Sequence, residues 1–508
     1  MEQGGTLKSE NDKGTIITNH DKDKASSNTV TIDANGKNDK VEVTLKDVNI
    51  DASRGSEAAV SVTGKGDTNI ELDGDNKLQS GSGHAGLEHN KTDTSGELTI
   101  QDNDKNGSLA ATAGAGSAGI GGSYGHDGEV TISGGTIDAT SNNGGAGIGG
   151  GKIDNSYVGG NGTVKITGGN ITAKADGQGA GIGGGYGGNG TVEITGGDVT
   201  ATGGFSAAGI GGGAIMEVPS SKSYGSDGDV TISGGTVNAT GGDYGAGIGG
   251  GYLGDGKVNI SGNATIENAE TGSYGAGIGG GGGGNGDVTV SGNATIENAE
   301  GGKFAAGIGG GYRGDGNVTI SGNAKIDNVS GGKQAAGIGS SFLGDSTITI
   351  KDNAAIGTVT GGSYGAGVGG GALGVGDVTI EGNVTIKNAQ GGSNAAGIGG
   401  GYGAENDKDG NGNQITIKSN ESGAPNVTAT GGVSDVDSDT GETIPGGAGI
   451  GSGVGDAKAN ITLEGKVTIL CSTTLSVDEL LAMGGEDTEV VLTHHIRSST
   501  LTVGGKAV

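Results

Sequence analysis

The chain has 508 residues, a formal net charge of −29, 124 glycines, 3 prolines, one cysteine and no tryptophan. Only 31% of its residues are apolar, which under-supplies a conventional globular core of this length. The lone Cys471 excludes an internal disulfide, and the acidic balance argues against binding nucleic-acid phosphate.

In chain order, residues 1–27 are polar and expected to be poorly ordered, and the opening "MEQGGTLKSE" lacks the apolar core of a signal segment. From 28 to 110 the pieces "NTVTIDANG", "VEVTLKDVNID", "AAVSVTG", "TNIELDGDN" and "GELTIQDN" alternate like β-strands at irregular spacing. They read as divergent first coils that cap a repeat array.

Residues 111–470 carry the array. An "AGIG" phrase places an apolar residue at Ile120, Ile148, Ile182, Ile210, Ile248, Ile278, Ile308, Ile338, Val368, Ile398 and Ile450. The steps are 28, 34, 28 and 38, then 30 five times, then 52. A disordered chain has no reason to hold such a register, whereas a stack of coils requires it. Within 278–307, "AGIGG", "DVTVS" and "ATIENA" are three short extended pieces burying Ile278, Val288, Val290 and Ile296, with Ala294 or Ala299 beside the last. Three strands per coil of 28–30 residues give an all-β parallel β-helix (β-solenoid), with coils about 4.8 Å apart. Longer steps place insertions at 152–160, 214–226 and 403–445.

The "GDG" and "GNG" glycines are expected to supply positive φ at corners, and the "GIGGG" glycines to leave a bare outer strip. Asn263, Asn293, Asn323, Asn353 and Asn383 fall at one step of successive coils, as an asparagine ladder satisfying buried backbone at the bend requires. Residues 471–508 read as a C-terminal cap whose "STTLSVDELLAMGG" forms one short helix, with Ser476 as N-cap and Glu479 completing a capping box.

All 13 aromatic residues lie between Tyr124 and Tyr402. Four residues before the apolar column stand Tyr244, Tyr274, Phe304 and Tyr364, with Phe205 one step off; four after it stand Tyr124, Tyr186, Tyr252, Tyr312, Phe342 and Tyr402. Stacking would set them in two rows beside the glycine strip, where a glycan could lie on the rings; rings covering bare backbone are the structural alternative. A second column, Asp127, Asn189, Asp227, Asp255, Asn285, Asp315 and Asp345, is good turn chemistry with some capacity for Ca²⁺. A calcium loop is spelled more sharply in "DKDGNGNQITIK", where Asp407, Asp409 and Asn411 precede Gly412, although Lys418 replaces the bidentate Glu of an EF-hand. "DVDSDTGE" at 435–442 is a looser acidic cluster in the same insertion, and "RGD" at 313–315 is one variant of a corner that elsewhere reads "LGD".

Catalysis is not expected. None of the six histidines falls between Ile148 and Ile450, and only Arg54, Arg313 and Arg497 supply arginine. No coil stands out with the facing carboxylates of a glycosidase.

At "GAGIGGG", "TVEITGGDVTATGG" and "GELTIQDNDKNG", the chain resembles glycine-rich repeats of large cell-surface proteins of Gram-positive bacteria. It is similar also to a bacterial carbohydrate-binding-domain family that forms a right-handed parallel β-helix and binds acidic plant polysaccharide with calcium. The resemblance covers roughly residues 96–455 and implies a right-handed coil and an extracellular or bacterial cell-surface location. The expectation is therefore a non-catalytic, secreted or surface adhesin that binds glycan along its aromatic-lined face, neutral polymers first, with no membrane insertion and as part of a larger surface protein. A purely structural spacer or stalk is the alternative.

Overall fold

In the computed structural model, the described residues are 6–8, 13–153, 160–215, 226–406, 412–432, 435–436, 443–444, 446–455, 457–471, 489–492, 502–503 and 506–507. They form a right-handed parallel β-helix built from three parallel sheets, with no helix among them. The helix expected at 472–485 lies outside the described residues, as does the calcium triplet Asp407, Asp409 and Asn411. The chain divides into two compact units, residues 1–257 and 258–508.

In the first unit, part of the polar opening segment expected to be poorly ordered lies in strands. Thr6–Lys8 and Lys13–Thr18 are strands that pair in parallel with the next coil, Leu7 opposite Ile32 and Ile17 opposite Leu45. Of the adjacent isoleucines in the second of these strands, Ile17 turns inward and is buried while Ile16 is exposed, so the strand still offers the sheet an apolar contact despite polar surroundings. Further along, Leu87, Ile120, Ile148, Ile182, Ile210 and Ile248 stand opposite one another in the first sheet. The longer steps leave register intact: Gly128, Gly162, Gly190 and Gly228 pair in sequence across the second sheet.

In the second unit the same column runs Ile278, Ile308, Ile338, Val368, Ile398 and Ile450. Within 403–445, read from the sequence as one insertion, Asn413–Lys418 and Asn426–Thr430 are the second and third strands of an ordinary coil, so the added length falls on either side of them.

The difference between 28- and 30-residue coils has a local cause. The third strand of the short form, Thr136–Thr140, alternates strictly and buries Ile137 and Ala139. In the long form, Thr295–Glu300, two outward residues, Glu297 and Asn298, separate buried Ile296 from buried Ala299. One residue is thus added in a bulge of the strand. The other is added in the turn, where "SGNA" replaces "SGG" and buries Ala294 as well.

The "IGGG" glycines are not a bare outer strip. Gly309, Gly310 and Gly311 are buried, because the loop that follows folds back over them. A Cβ on Gly309 would lie 2.0 Å from the carbonyl oxygen of Gly339, on Gly310 2.2 Å from that of Gly314, and on Gly311 1.8 Å from that of Gly281. Gly309 also holds φ at +130°. Where "AGIGSS" breaks the phrase, Ser340 and Ser341 are fully buried, and their hydroxyls donate to the carbonyls of Gly344 and Gly311. A side chain enters there by hydrogen-bonding the carbonyls of the enclosing backbone.

The "GDG" glycines likewise serve close approach. A Cβ on Gly314 would lie 1.9 Å from the Gly284 carbonyl oxygen. The positive φ falls on the preceding residue instead: Leu253 (61°), Arg313 (64°), Leu343 (65°) and Leu373 (65°). Equivalent coils place Gly125, Gly187, Gly283 and Gly403 at that step, also with positive φ.

These two kinds of glycine make opposite predictions. Gly309→Ala combines a glycine-only conformation with overlap against backbone and should cost at least about 3 kcal/mol. Gly187 has nothing within 4 Å of its Cβ position, so Gly187→Leu should cost only about 1 kcal/mol of left-handed strain. Urea midpoints followed by far-UV circular dichroism separate the two; equal losses would contradict the packing described.

Candidate aromatic surface

The two sequence columns converge. In the first unit Phe205 meets Tyr244 at 6.1 Å between ring centroids, and Tyr244 meets Tyr252 edge-on at 4.9 Å. In the second, Tyr274 stacks on Phe304 at 5.4 Å and meets Tyr312 edge-on at 5.5 Å, Tyr312 lies nearly parallel to Phe342 at 6.0 Å, and Tyr364 packs on Tyr402 at 5.3 Å. The expected glycine pavement between two rows is therefore absent: the glycines are enclosed, and rings from both columns touch over the loops that enclose them. Backbone bonds fix the offset. Tyr312 N–H donates to the Tyr274 carbonyl and Tyr402 N–H to the Tyr364 carbonyl, so the later column of one coil overlies the earlier column of the coil before.

Most of these rings are half-buried, as tyrosine's mixed character favours. Tyr124 is 42% exposed, Tyr402 37% and Phe205 53%, joined by Leu343 at 53% and Leu373 at 42%. Apart from Ile16, no other large hydrophobic is exposed among the described residues. Sequence reasoning missed the leucines because nothing in "FLGD" or "ALGV" distinguishes an exposed left-handed leucine from a core one. Cations sit over several rings: Lys152 on Tyr186, Lys303 on Phe304, Arg313 on Tyr312 and Lys333 on Tyr364, at 5.3–6.0 Å from the centroids. Arg313 of "RGD" is thus one more member of the left-handed column, laid on its neighbour's ring.

The corner acids form a hydrogen-bonded ladder. Asp127 accepts from Asn161 N–H at 2.8 Å, Asn161 from Asn189 N–H, Asn189 from Asp227 N–H and Asp227 from Asp255 N–H. In the second unit Asn285, Asp315 and Asp345 accept from Asp315, Asp345 and Val375 N–H groups at 2.9–3.0 Å. Asp and Asn alternate freely because the step needs an acceptor oxygen. The asparagine ladder from Asn263 to Asn383 forms as expected, amide to amide at 3.1–3.3 Å, but on the exposed surface and not over buried backbone. A second ladder, Asn268–Asn298–Asn328 at 3.2 Å, stands on the strand bulge.

Glu71, Asp102 and Asp104 bring carboxylate oxygens within 4.8 Å of one another. Glu71 accepts from the backbone and side-chain amides of Asn103 at 2.6 Å, and Asp102 from the N–H groups of Asn106 and Gly107. The sequence "QDNDKNG" displays the two aspartates, while Glu71 joins them only through stacking.

A family model described as beta helix repeat matches residues 130–152, 164–186, 192–214, 230–252, 258–282 and 288–312. Each match begins at the first valine of a second-sheet strand, and all six end on the residue four past the Ile column, with 164–186, 230–252 and 288–312 ending on Tyr186, Tyr252 and Tyr312. No curated protein matches the chain. No solved structure matches it either.

The corner ladder predicts that Asp345→Asn keeps stability or raises it slightly, since Oδ1 still accepts from Val375 and a charge stacked beside Asp315 is removed. Asp345→Ala should cost about 1 kcal/mol. Thermal melting with and without a chelator checks this. A loss in the asparagine variant that tracks chelation would assign the column to metal instead. On fold and on these six matches, the chain is a β-helical repeat protein.

Proposed function

We propose that this is a non-catalytic binding protein, secreted or displayed on a bacterial surface as part of a larger protein, that docks a glycan along its aromatic surface. The observation that carries the reading is the left-handed leucine column. Leu343 and Leu373 stand exposed in a conformation that costs a non-glycine residue roughly 1–2 kcal/mol. Glycine occupies the same step in four other coils. Strain kept where the fold does not require it points to use of the side chain. Beside the leucines, half-exposed rings at coil spacing suit the apolar faces of successive sugars, and tyrosine hydroxyls can exchange hydrogen bonds with sugar hydroxyls. Weak contacts repeated along one polymer add by avidity.

With a net charge of −29, long-range repulsion disfavours acidic polymers, so neutral glycans are the first choice. In the same proposal Ca²⁺, where bound, is assigned to Asp407, Asp409 and Asn411. The absence of catalysis rests on the corner carboxylates, whose oxygens are engaged as structural acceptors in coil after coil.

The spacer reading has its own observation: rings also shield backbone. A Cβ on Gly116 would lie 2.5 Å from the Tyr124 ring, so that ring lies against the glycine.

Binding to an array of neutral and acidic polysaccharides decides between them. In the double variant Leu343→Gly, Leu373→Gly, glycan binding should fall about tenfold or more while the circular dichroism spectrum and urea midpoint stay near those of the parent. Binding untouched by this change would move the site elsewhere, and no binding to any glycan would leave the spacer.

A further inference from the structure

The first sheet narrows along the first unit. Its strands are five residues long at Val30–Ala34 and Val60–Gly64, three at Leu87–His89 and two at Ile120–Gly121. Val62 pairs with His89, but Thr63 and Gly64 have no partner in the next strand. A narrow coil stacked on a wide one leaves a notch, and a cavity of about 210 Å³ lies there. Ser61, Thr63, His89, Asn90, Thr92 and Ser95 supply its polar lining, with Val62 among the apolar groups.

His89 is 3% exposed. Its Nδ1 lies 2.8 Å from the Glu129 carbonyl oxygen, which can only accept, so Nδ1 carries the proton. Burial holds the ring below the ordinary imidazole pKa, outweighing the opposing pull of Glu129. A neutral ring protonated at Nδ1 keeps a lone pair on Nε2. Other polar groups here are already engaged: Asn90 Oδ1 accepts from Ser123 N–H at 2.8 Å, and the Ser95 hydroxyl bonds the backbone of Thr92. The Ser61 hydroxyl has no side-chain hydrogen bond among the described residues; the Thr63 hydroxyl donates to Asp33 Oδ1 at 3.3 Å and keeps its acceptor side, the Thr92 hydroxyl accepts from Thr94 N–H at 3.4 Å and keeps its proton, and the Nε2 lone pair has the Gly96 backbone beside it.

We infer that this notch binds one uncharged, polyhydroxylated ring: a single sugar unit, free or at a chain end. The lining contains no charged side chain to match a phosphate or carboxylate, and one imidazole does not make a metal site. Hydroxyls that both give and accept, beside a lone-pair acceptor, complement vicinal sugar hydroxyls, while Val62 offers apolar contact to ring carbons. The volume is that of about seven waters, enough for one pyranose and too small for two. This site is independent of the aromatic surface and stands or falls without it.

Charged groups around His89 are Glu129 and Lys91, which pair with each other, and Glu88 on the same strand, whose carboxylate lies 2.7 Å from His84 Nδ1. Protonating His89 turns its acceptor into a donor, so binding should weaken as the pH falls below the imidazole range.

Imidazole ¹⁵N resonances of the whole chain, titrated with neutral hexoses and their methyl glycosides, test the inference. Uronates and inorganic phosphate serve as charged comparators. The His89 Nε2 signal should move saturably with a roughly millimolar Kd for a neutral sugar, about tenfold more weakly for a uronate, and not for phosphate. Equal binding of a methyl glycoside identifies a chain end as an acceptable source; binding of the reducing sugar alone identifies the free sugar. Ser61→Ala, at a half-buried position outside the core, should weaken the response about tenfold and keeps the test open if His89→Gln fails to fold. No saturable shift, an equal shift with the charged comparators, or a response unchanged by Ser61→Ala would overturn the site.

Discussion

The structure depends on one steric constraint: at the first corner of each coil, backbone meets backbone with no room for a Cβ. Gly121, Gly149, Gly183 and Gly211 in the first unit, and Gly279, Gly309, Gly339, Gly369 and Gly399 in the second, each face the equivalent glycine's carbonyl one coil on, at 1.9–2.2 Å from where the Cβ would be. Such contact can be repeated only if every coil turns identically, so the phrase must recur as closely as it does. Glycine density that would signal disorder in a free chain is here the condition for closest packing. Ser340 and Ser341 show the tolerance of that condition, since each is accommodated with its hydroxyl bonded to a carbonyl of the enclosing backbone.

Once coils are in register, every residue has its own equivalent as neighbour, and the chemistry of like beside like follows. Asparagine suits this because its amide both gives and accepts, and two amide ladders form on that basis. Aspartate suits it less, as Asp315 and Asp345 place like charges one coil apart. The compensation is a backbone N–H from the following coil, which makes an acceptor useful wherever it stands and explains why Asn and Asp interchange along the corner. Backbone donors thus engage part of the negative charge that stacking brings together.

Legibility in the sequence followed repetition. The isoleucine column, the three strands and the Asn263 ladder could be read because period alone dictates them. Burial of the glycine strip could not, since a run such as "IGGG" looks the same whether it faces water or is enclosed by the next loop. The meeting of the aromatic columns depended on the path of that loop, which offsets Tyr312 onto Tyr274. The second amide ladder hung on a bulge that shifts Asn298 outward, and strict alternation hides it. The His89 notch exists only where the coil ceases to repeat, so periodicity carries no information about it.

Exposure and strain together are what favour the proposed binding surface over one that merely covers backbone. Rings alone do not make the distinction: Tyr124 against Gly116 would be equally at home in a spacer, and an aromatic on glycine stabilises either. A leucine in the left-handed region is different. At Leu343 and Leu373 it adds strain and exposes apolar surface, both costs to an isolated fold, at a step where Gly125 and Gly187 show that glycine suffices. The same step in Arg313 carries a cation over Tyr312, so where the column has a side chain its chemistry varies. Variation of side chain on constant backbone would serve the proposed recognition surface, because identical coils could otherwise offer a ligand only one kind of contact.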